Sequence, residues 1–211
     1  MTYWLDFGTL LGAVREKGII GWEYDVDVGM PEEMCERAST PAVREAFSSM
    51  GYTLYNRSDY IPQKVKLTWD DQTKSLGWSS GYMSTVCLRV YDRELTYFVD
   101  VYWYQKVTKE EAKAAPAGSL NLPRGYAFKK DLVCNNEGLD KAEFFPGGCR
   151  ELDTVLPPAS LTMYGTKLSI PAQPESNLDL CYGPNWRVPT AKGLNAVLCQ
   201  GTMPMGDTWY T

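Results

Sequence analysis

The strongest constraint on this chain is a short alternating segment, Asp25-Val26-Asp27-Val28, near the start of its 211 residues. Successive side chains of a β-strand point to opposite faces, so the predicted strand carries both valines on one face and both carboxylates on the other. Two ionised carboxylates on one face repel each other unless a cation lies between them. Hard oxygen ligands of this kind suit Mg²⁺ or Mn²⁺, the ions that bind phosphoryl oxygens. The segment therefore indicates metal-dependent phosphoryl chemistry.

The residues before this strand predict a turn followed by a helix. A short apolar run, Tyr3 to Leu5, enters the turn Asp6-Phe7-Gly8-Thr9. Leucine and valine side chains then recur at helical spacing as far as Gly18, a residue typical of helix ends. Thr9 is the expected N-cap of this helix.

This turn is also a candidate anion site. Backbone N–H groups of Gly8 and Thr9, together with the Thr9 hydroxyl, would lie at a helix N-terminus suited to phosphate, and a plain capping turn is the alternative. Arg15 and Lys17 would add positive charge toward a phosphorylated donor, with functionless surface charge as their alternative.

Strand patterns dominate the centre of the chain, and the last of them contains a third acid. In the segment Leu95 to Tyr104, alternation places Phe98, Asp100 and Tyr102 on one face. A lone acid in so apolar a strand is unfavourable unless it is paired or bound to a metal. Asp100 is therefore either a partner of a core arginine or the third member of a carboxylate cluster with Asp25 and Asp27. Three acids on two strands are typical of a phosphoryl-transfer metal site.

Other periodic segments complete the predicted order of elements. A proline-initiated helix precedes Gly51, a capping box at Thr108 opens a short helix, and Pro174 begins a helix that ends at Gly183. Residues 116–160 are expected to be a long irregular region. The predicted strands are 52–55, 64–69, 85–91, 95–104 and 168–170.

Composition narrows the class of protein further. With 44% hydrophobic residues, the chain can bury one sizeable core, and we expect one domain over residues 1–192 with an extension over 193–211. No leader and no apolar run of about 20 residues are evident, so no membrane span is predicted. The net charge of −5 argues against nucleic acid as a partner. Because the chain begins almost inside its best motif, we expect a fragment of a longer protein.

The chain contains no histidine, which excludes Ser-His-Asp and Cys-His nucleophiles and mixed Cys/His zinc sites. Its six cysteines form no C-x-x-C motif. Cys134 and Cys149 bracket a glycine-rich loop, and both a disulfide and free buried thiols are compatible with their spacing. Asn56-Arg57-Ser58 matches a glycosylation sequon, although the pattern is so short that a chance match is the leading interpretation. Together these features favour slightly the secretory pathway or Golgi lumen.

Three blocks resemble the LicD/fukutin-related family of phosphotransferases. The first is similar to the family segment Y-x-L-x-G-G-T-L-L-G-x-x-R followed by closely spaced acids, the second is FVDVYWY around Asp100, and the third runs from Ile170 to Pro189. The residues that match the first block are Tyr3, Leu5, Gly8, Thr9, Leu10, Leu11, Gly12, Arg15, Ile19, Ile20, Trp22, Asp25, Val26 and Asp27. Phe7 departs from the usual Gly-Gly pair, Gly21 from a Pro, and Glu23-Tyr24 from an acidic pair.

The resemblance implies an α/β (α+β) nucleotidyltransferase-like fold, with a mixed or antiparallel sheet flanked by helices. It also implies transfer of a phosphorylated alcohol, such as phosphocholine or ribitol phosphate, from a CDP-linked donor to a glycan hydroxyl. Asp25 and Asp27 would hold Mg²⁺ or Mn²⁺, and Asp100 would complete the metal shell or take the proton from the acceptor hydroxyl. The alternative is a non-catalytic glycan-binding or Ca²⁺-stabilised structural module.

Overall fold

The computed structural model describes residues 1–21, 23, 25–56, 86–92, 97–115, 120, 122–123, 125–135 and 148–189. Its helices are α1 (Phe7–Arg15), α2 (Glu32–Ala38), α3 (Pro41–Ser49), α4 (Lys109–Ala114), α5 (Leu152–Val155) and α6 (Pro174–Tyr182). Its strands are β1 (Trp4–Leu5), β2 (Asp25–Pro31), β3 (Thr53–Asn56), β4 (Val86–Tyr91), β5 (Phe98–Val107), β6 (Leu132–Cys134), β7 (Cys149–Glu151), β8 (Ala159–Met163) and β9 (Thr166–Ile170).

A mixed seven-stranded sheet organises the fold. Five strands follow the order β1-β2-β5-β4-β3. In addition, β6 pairs with β5, and β7 pairs with β6. Strand β2 pairs in parallel with β5, whereas β4 runs antiparallel to β5. The parallel register sets Asp27 directly beside Asp100, so two segments about 70 residues apart in the chain bring their acids to the same place.

The two faces of this sheet differ because apolar and polar side chains alternate along its strands. One face is apolar and packs against α2 and α3 through a cluster that includes Met30, Leu54, Leu88, Val101 and Trp103. Val99, Val101 and Trp103 occupy every second position of β5, so their side chains lie on this same face and are buried together. The opposite face carries the acids, and α1 contacts it beside β2.

A second apolar cluster fastens the C-terminal elements to α1. Leu10 and Leu11 of α1 pack with Met163, Ile170 and Leu178 from the β8–β9 hairpin and α6. Helix α6 ends where Gly183 adopts a φ of 77°, a left-handed conformation that glycine reaches without steric penalty. The described C-terminal elements therefore form one body with the motif-bearing N-terminus.

The predicted fold class is confirmed: helices flank a mixed sheet. The helices α3, α4 and α6 and the strands β3, β4 and β5 also lie where the sequence predicts them. Thr9 as N-cap was wrong, because Asp6 caps α1 and the helix already begins at Phe7. The predicted strand 168–170 lies within β9, whereas β6, β7, α5 and β8 were not predicted. The predicted strand 64–69 and the extension 193–211 lie outside the described residues.

The sequence left open whether Cys134 and Cys149 form a disulfide or remain free thiols, and the structure shows the disulfide. Cys134 and Cys149 are bonded to each other across the paired strands β6 and β7, and Cys35 is bonded to Cys87, which ties α2 to β4. Such bonds persist in oxidising environments. The sequon acceptor Asn56 is 8% exposed and its amide donates a hydrogen bond to the Ser39 carbonyl, so the side chain that would carry a glycan is buried.

Among the described helices, none is long and apolar enough to cross a membrane.

Candidate metal and phosphate site

The polar face of the sheet gathers three carboxylates. One oxygen from each of Asp25, Asp27 and Asp100 lies within 4.8 Å of the others. Asp27 and Asp100 are 9% and 0% exposed, while Asp25 is half-buried at the start of β2. Hard oxygen ligands at this separation form a donor set suited to a divalent cation.

Electrostatics show that this cluster holds excess negative charge. Burial raises the pKa of Asp27 well above its ordinary value, and the charges of Asp25 and Asp100 raise it further. Burial also raises the pKa of Asp25, against a lowering by the hydrogen bond to Glu23 and by the Arg89 charge. A divalent cation at the cluster would reverse these shifts, since it favours the ionised carboxylates.

Glu23 is a fourth acid at the site that the sequence analysis did not include. Burial, the charge of Asp25 and a hydrogen bond with Asp25 raise the pKa of Glu23 from 4.5 to about 7. A Cβ atom built at Gly8 would lie 3.2 Å from Glu23 Oε1. The Glu23 carboxyl group therefore lies against the first turn of α1, where helix N-termini favour negative charge.

Both alternatives for Asp100 occur together. Arg89 lies opposite Asp100 in the antiparallel β4–β5 register, and its Nε and Nη2 atoms donate hydrogen bonds to the two carboxylate oxygens of Asp100. The same carboxylate belongs to the cluster with Asp25 and Asp27. Asp100 is thus a buried, paired acid and also a candidate cation ligand.

The first turn of α1 holds the backbone of Asp27 at both of its polar groups. The Asp27 N–H donates to Thr9 Oγ1 at 2.8 Å, and the Asp27 carbonyl accepts from the Asp6 N–H at 3.0 Å. The Thr9 hydroxyl therefore positions the strand that carries Asp25 and Asp27. Gly8 and Thr9 themselves remain at the N-terminal end of α1, beside the acids, as the sequence predicts.

Arg15 and Lys17 lie at the other end of α1 and are not brought to the acids. Arg15 Nη1 donates to the Trp186 carbonyl at 3.1 Å, and its Nη2 donates to Glu16 at 2.7 Å. Lys17 Nζ donates to the Val14 carbonyl at 2.9 Å and so caps its own helix. Ile20 lies beside Gly12 and Glu23 lies beside Gly8, so the residues after Lys17 return toward the start of α1, away from these two cations. Spacing along the sequence could not show this reversal.

Behind the site lies a buried ion pair that the sequence did not reveal. Asp6 is 0% exposed and its Oδ1 lies 2.7 Å from Arg150 Nη2. Tyr104 Oη donates to Asp6 Oδ2 at 2.8 Å, and Trp4 Nε1 donates to the same oxygen at 3.3 Å. Asp6 thus caps α1 and also holds the start of this helix to β1, β5 and β7.

Phe7, the departure from the family's Gly-Gly pair, has an unusual backbone. Its φ is 41°, in the left-handed region that glycine adopts most easily. The ring packs edge-on against Tyr102, with centroids 4.9 Å apart, and the Arg150 guanidinium lies 5.5 Å from its centroid. These contacts stabilise a phenylalanine where a glycine fits without strain.

A cavity of about 250 Å³ opens beside Asp25 and Glu23. Val26, Val90 and Val99 form part of its wall, and Tyr97, which is 60% exposed, lies at its edge. Of the four acids at the site, Asp25 and Glu23 line this cavity, so a small molecule in it would contact these two.

Comparison with known proteins agrees with this geometry. The LicD/FKTN/FKRP nucleotidyltransferase domain profile matches residues 1–115, more than half of the 211 residues. The chain belongs to the LicD/FKTN/FKRP family. Membership suggests a transferase of the phosphotransferase type that modifies glycans.

Two curated relatives share shorter segments. An uncharacterized protein of Rickettsia prowazekii (strain Madrid E) is 39% identical over 66 residues, which cover 31% of this chain and 24% of the relative. An uncharacterized protein of Rickettsia typhi (strain ATCC VR-144 / Wilmington) is 36% identical over 59 residues, 28% of this chain and 18% of the relative. The chain thus matches a quarter or less of each relative's length.

Proposed function

We propose that this protein is a metal-dependent phosphotransferase that moves a phosphorylated alcohol, of the phosphocholine or ribitol phosphate type, from a CDP-linked donor to a glycan hydroxyl. The observation that carries the proposal is the carboxylate cluster of Asp25, Asp27 and Asp100, whose oxygens converge within 4.8 Å beside the first turn of α1. Family membership supports the same class of reaction.

The chemistry of the donor set fits Mg²⁺ or Mn²⁺. Asp25, Asp27 and Asp100 each offer one oxygen, and magnesium and manganese prefer carboxylate ligands. When bound, such an ion supplies positive charge that neutralises the transferring phosphoryl group.

The first turn of α1 supports the phosphate part of the proposal. Gly8 carries no side chain there, and a helix N-terminus presents N–H groups and a partial positive charge to an anion. Thr9 contributes indirectly, through the hydrogen bond that holds Asp27. The cavity beside Asp25 would receive part of the donor or acceptor.

The reaction we propose is a displacement at phosphorus. The acceptor oxygen forms a bond to the phosphorus that carries the alcohol, and the bond from that phosphorus to the cytidine monophosphate oxygen breaks. Cytidine monophosphate leaves with the electron pair, and the acceptor proton passes to a carboxylate oxygen of the cluster.

The test is release of cytidine monophosphate from a panel of CDP-alcohols, with Mg²⁺ or Mn²⁺ and a glycan acceptor. Asp25→Asn should abolish metal-dependent release while circular dichroism shows a retained fold. Asp153→Asn is the control, because Asp153 is 55% exposed and pairs with the exposed Lys130. Unchanged turnover in Asp25→Asn contradicts the assignment.

A thermal-shift screen separates the transferase from the structural alternative. Stabilisation by cytidine nucleotides with Mg²⁺ or Mn²⁺ is the expected result. Stabilisation by Ca²⁺ and glycan, without any response to cytidine nucleotides, would favour a glycan-binding module.

A further inference from the structure

The side chain of Arg89 is fixed on three sides. Its Nε and Nη2 atoms donate to the two oxygens of Asp100, and its Nη1 atom donates to Tyr91 Oη at 3.2 Å. The guanidinium carbon lies 3.8 Å from the centroid of the Phe98 ring, in cation–π contact. Only 3% of the side chain is exposed.

The strand register explains why this arginine is placed at the site. Arg89 pairs with Asp100 across β4 and β5, and Phe98 pairs with Tyr91 in the same ladder. Side chains two residues apart share a face of the sheet, so Phe98 and Asp100 both lie where the Arg89 guanidinium can reach them. A planar guanidinium matches both oxygens of a carboxylate, which an ammonium group does not.

The Asp100 carboxylate therefore takes part in two arrangements, the pair with Arg89 and the acid cluster. Asp100 supplies the oxygen that lies within 4.8 Å of oxygens of Asp25 and Asp27, and both of its oxygens accept hydrogen bonds from Arg89. A cation held by these acids would lie close to the Arg89 charge. Coulomb's law with the dielectric of water, which gives the lower limit for a buried pair, predicts a loss of affinity of at least about tenfold for a unit charge roughly 6 Å from a divalent ion.

We propose that Arg89 is a positioning residue that competes with a divalent cation for Asp100 and thereby lowers the cation affinity of the carboxylate cluster. This inference rests on the proposed function, in which Asp100 is a cation ligand. Cation binding would weaken the two hydrogen bonds from Arg89 to Asp100, while the contacts of Arg89 with Phe98 and Tyr91 keep the guanidinium nearby.

The first experiment measures Mn²⁺ affinity by electron paramagnetic resonance. Arg89→Met should bind Mn²⁺ at least about tenfold more tightly than the wild type. Arg187→Met is the matched control, because it removes the same unit charge from an arginine that is 51% exposed and pairs with Glu175. The control should leave the Mn²⁺ affinity unchanged. Equal or weaker binding by a folded Arg89→Met variant would overturn the proposal.

A second experiment does not depend on folding of the methionine variant. In ¹⁵N-labelled wild-type protein, the Arg89 Nε–Hε resonance is assigned by its absence in Arg89→Lys. Titration with Mg²⁺ should move this resonance, with saturation at the same Mg²⁺ concentration that displaces bound Mn²⁺. An unmoved resonance at saturating Mg²⁺ would show that Arg89 and the cation do not share Asp100, and the proposal would be wrong.

The same measurements separate the two proposals. If the wild type binds Mn²⁺ and Asp25→Asn does not, the metal site of the proposed function stands, and the behaviour of Arg89 decides this inference alone. If Asp25→Asn binds Mn²⁺ as the wild type does, the cluster is not the cation site, and both proposals are wrong.

Discussion

The hydroxyl of Thr9 accepts a hydrogen bond from the backbone N–H of Asp27 at 2.8 Å. This bond joins the third residue of α1 to strand β2, and it is buried. Together with the bond from the Asp6 N–H to the Asp27 carbonyl, it fixes the peptide groups on both sides of the Asp27 side chain. The direction of a carboxylate at the site is therefore set by the helix whose N-terminus lies beside the acids.

Replacing Thr9 by Val tests this relationship. Valine has the same shape but no acceptor, so the buried Asp27 N–H would lose its partner. We expect a loss of about 1–3 kcal/mol in the free energy of unfolding, measured by urea denaturation. Mn²⁺ affinity should also fall, because Asp27 would be held less firmly. Thr9→Ser keeps the hydroxyl and should stay close to the wild type; equal losses in Val and Ser variants would contradict the role of the hydrogen bond.

Replacing Gly8 by Ala tests the close approach of Glu23 to α1. A Cβ atom at residue 8 would lie 3.2 Å from Glu23 Oε1, the flexible end of a side chain. The unfolding free energy should change by less than about 1 kcal/mol, because alanine favours helices and Glu23 can move. Turnover should fall by up to about 100-fold, since a small displacement at a reacting centre has a large effect.

Gly21→Ala is the matched control for this variant. A Cβ atom at Gly21 would meet nothing within 4 Å, so both stability and turnover should be retained. Equal turnover of the two alanine variants would show that the space at Gly8 does not matter for the reaction.

The parts of the site that the sequence predicted depend on local patterns. Alternation places Asp25 and Asp27 on one face, whatever the rest of the fold, and the same holds for Asp100 within β5. The helix after Asp6 was also predicted, but its first residue was not. Asp6 and Thr9 are both good N-cap residues, and the choice depends on the ion pair of Asp6 with Arg150, which lies 144 positions further along the chain.

The contacts of Arg89 and Arg150 could not be predicted either, because they too depend on how distant parts of the chain pair. Arg89 reaches Asp100 only because β4 and β5 pair in one particular register, and Arg150 reaches Asp6 only because β7 joins the sheet through β6. Arg15 and Lys17 show the converse, because nearness in sequence does not place them near the acids. They are close to the acids in sequence, but the chain reverses after Gly18 and leaves them at the far end of α1.

Removing Arg150 tests the buried pair behind the site. Arg150→Met would leave the Asp6 carboxylate buried without this counter-ion, and we expect a loss of about 3–5 kcal/mol in the free energy of unfolding. The double variant Asp6→Asn with Arg150→Met removes both charges and should recover part of that loss. A double-mutant cycle from chemical denaturation measures the coupling. Additive losses, with no recovery in the double variant, would show that the two side chains do not stabilise the fold as a pair.

The acid cluster should make the stability of the metal-free protein fall as pH rises. The pKa of Glu23 is about 7 in the folded protein, against 4.5 for an ordinary glutamate. Between these two pH values the folded state keeps a proton that the unfolded state has released, so the free energy of unfolding decreases with increasing pH. The decrease should begin near pH 4.5 and be complete above pH 7.

Glu23→Gln cannot ionise and should flatten the profile of unfolding midpoints measured in the presence of a chelator. Saturating Mg²⁺ should flatten the wild-type profile as well, because a cation at the cluster favours the ionised carboxylates in the folded state. A wild-type midpoint that rises between pH 5 and pH 7 would show that Glu23 does not lie in the negative environment described for it.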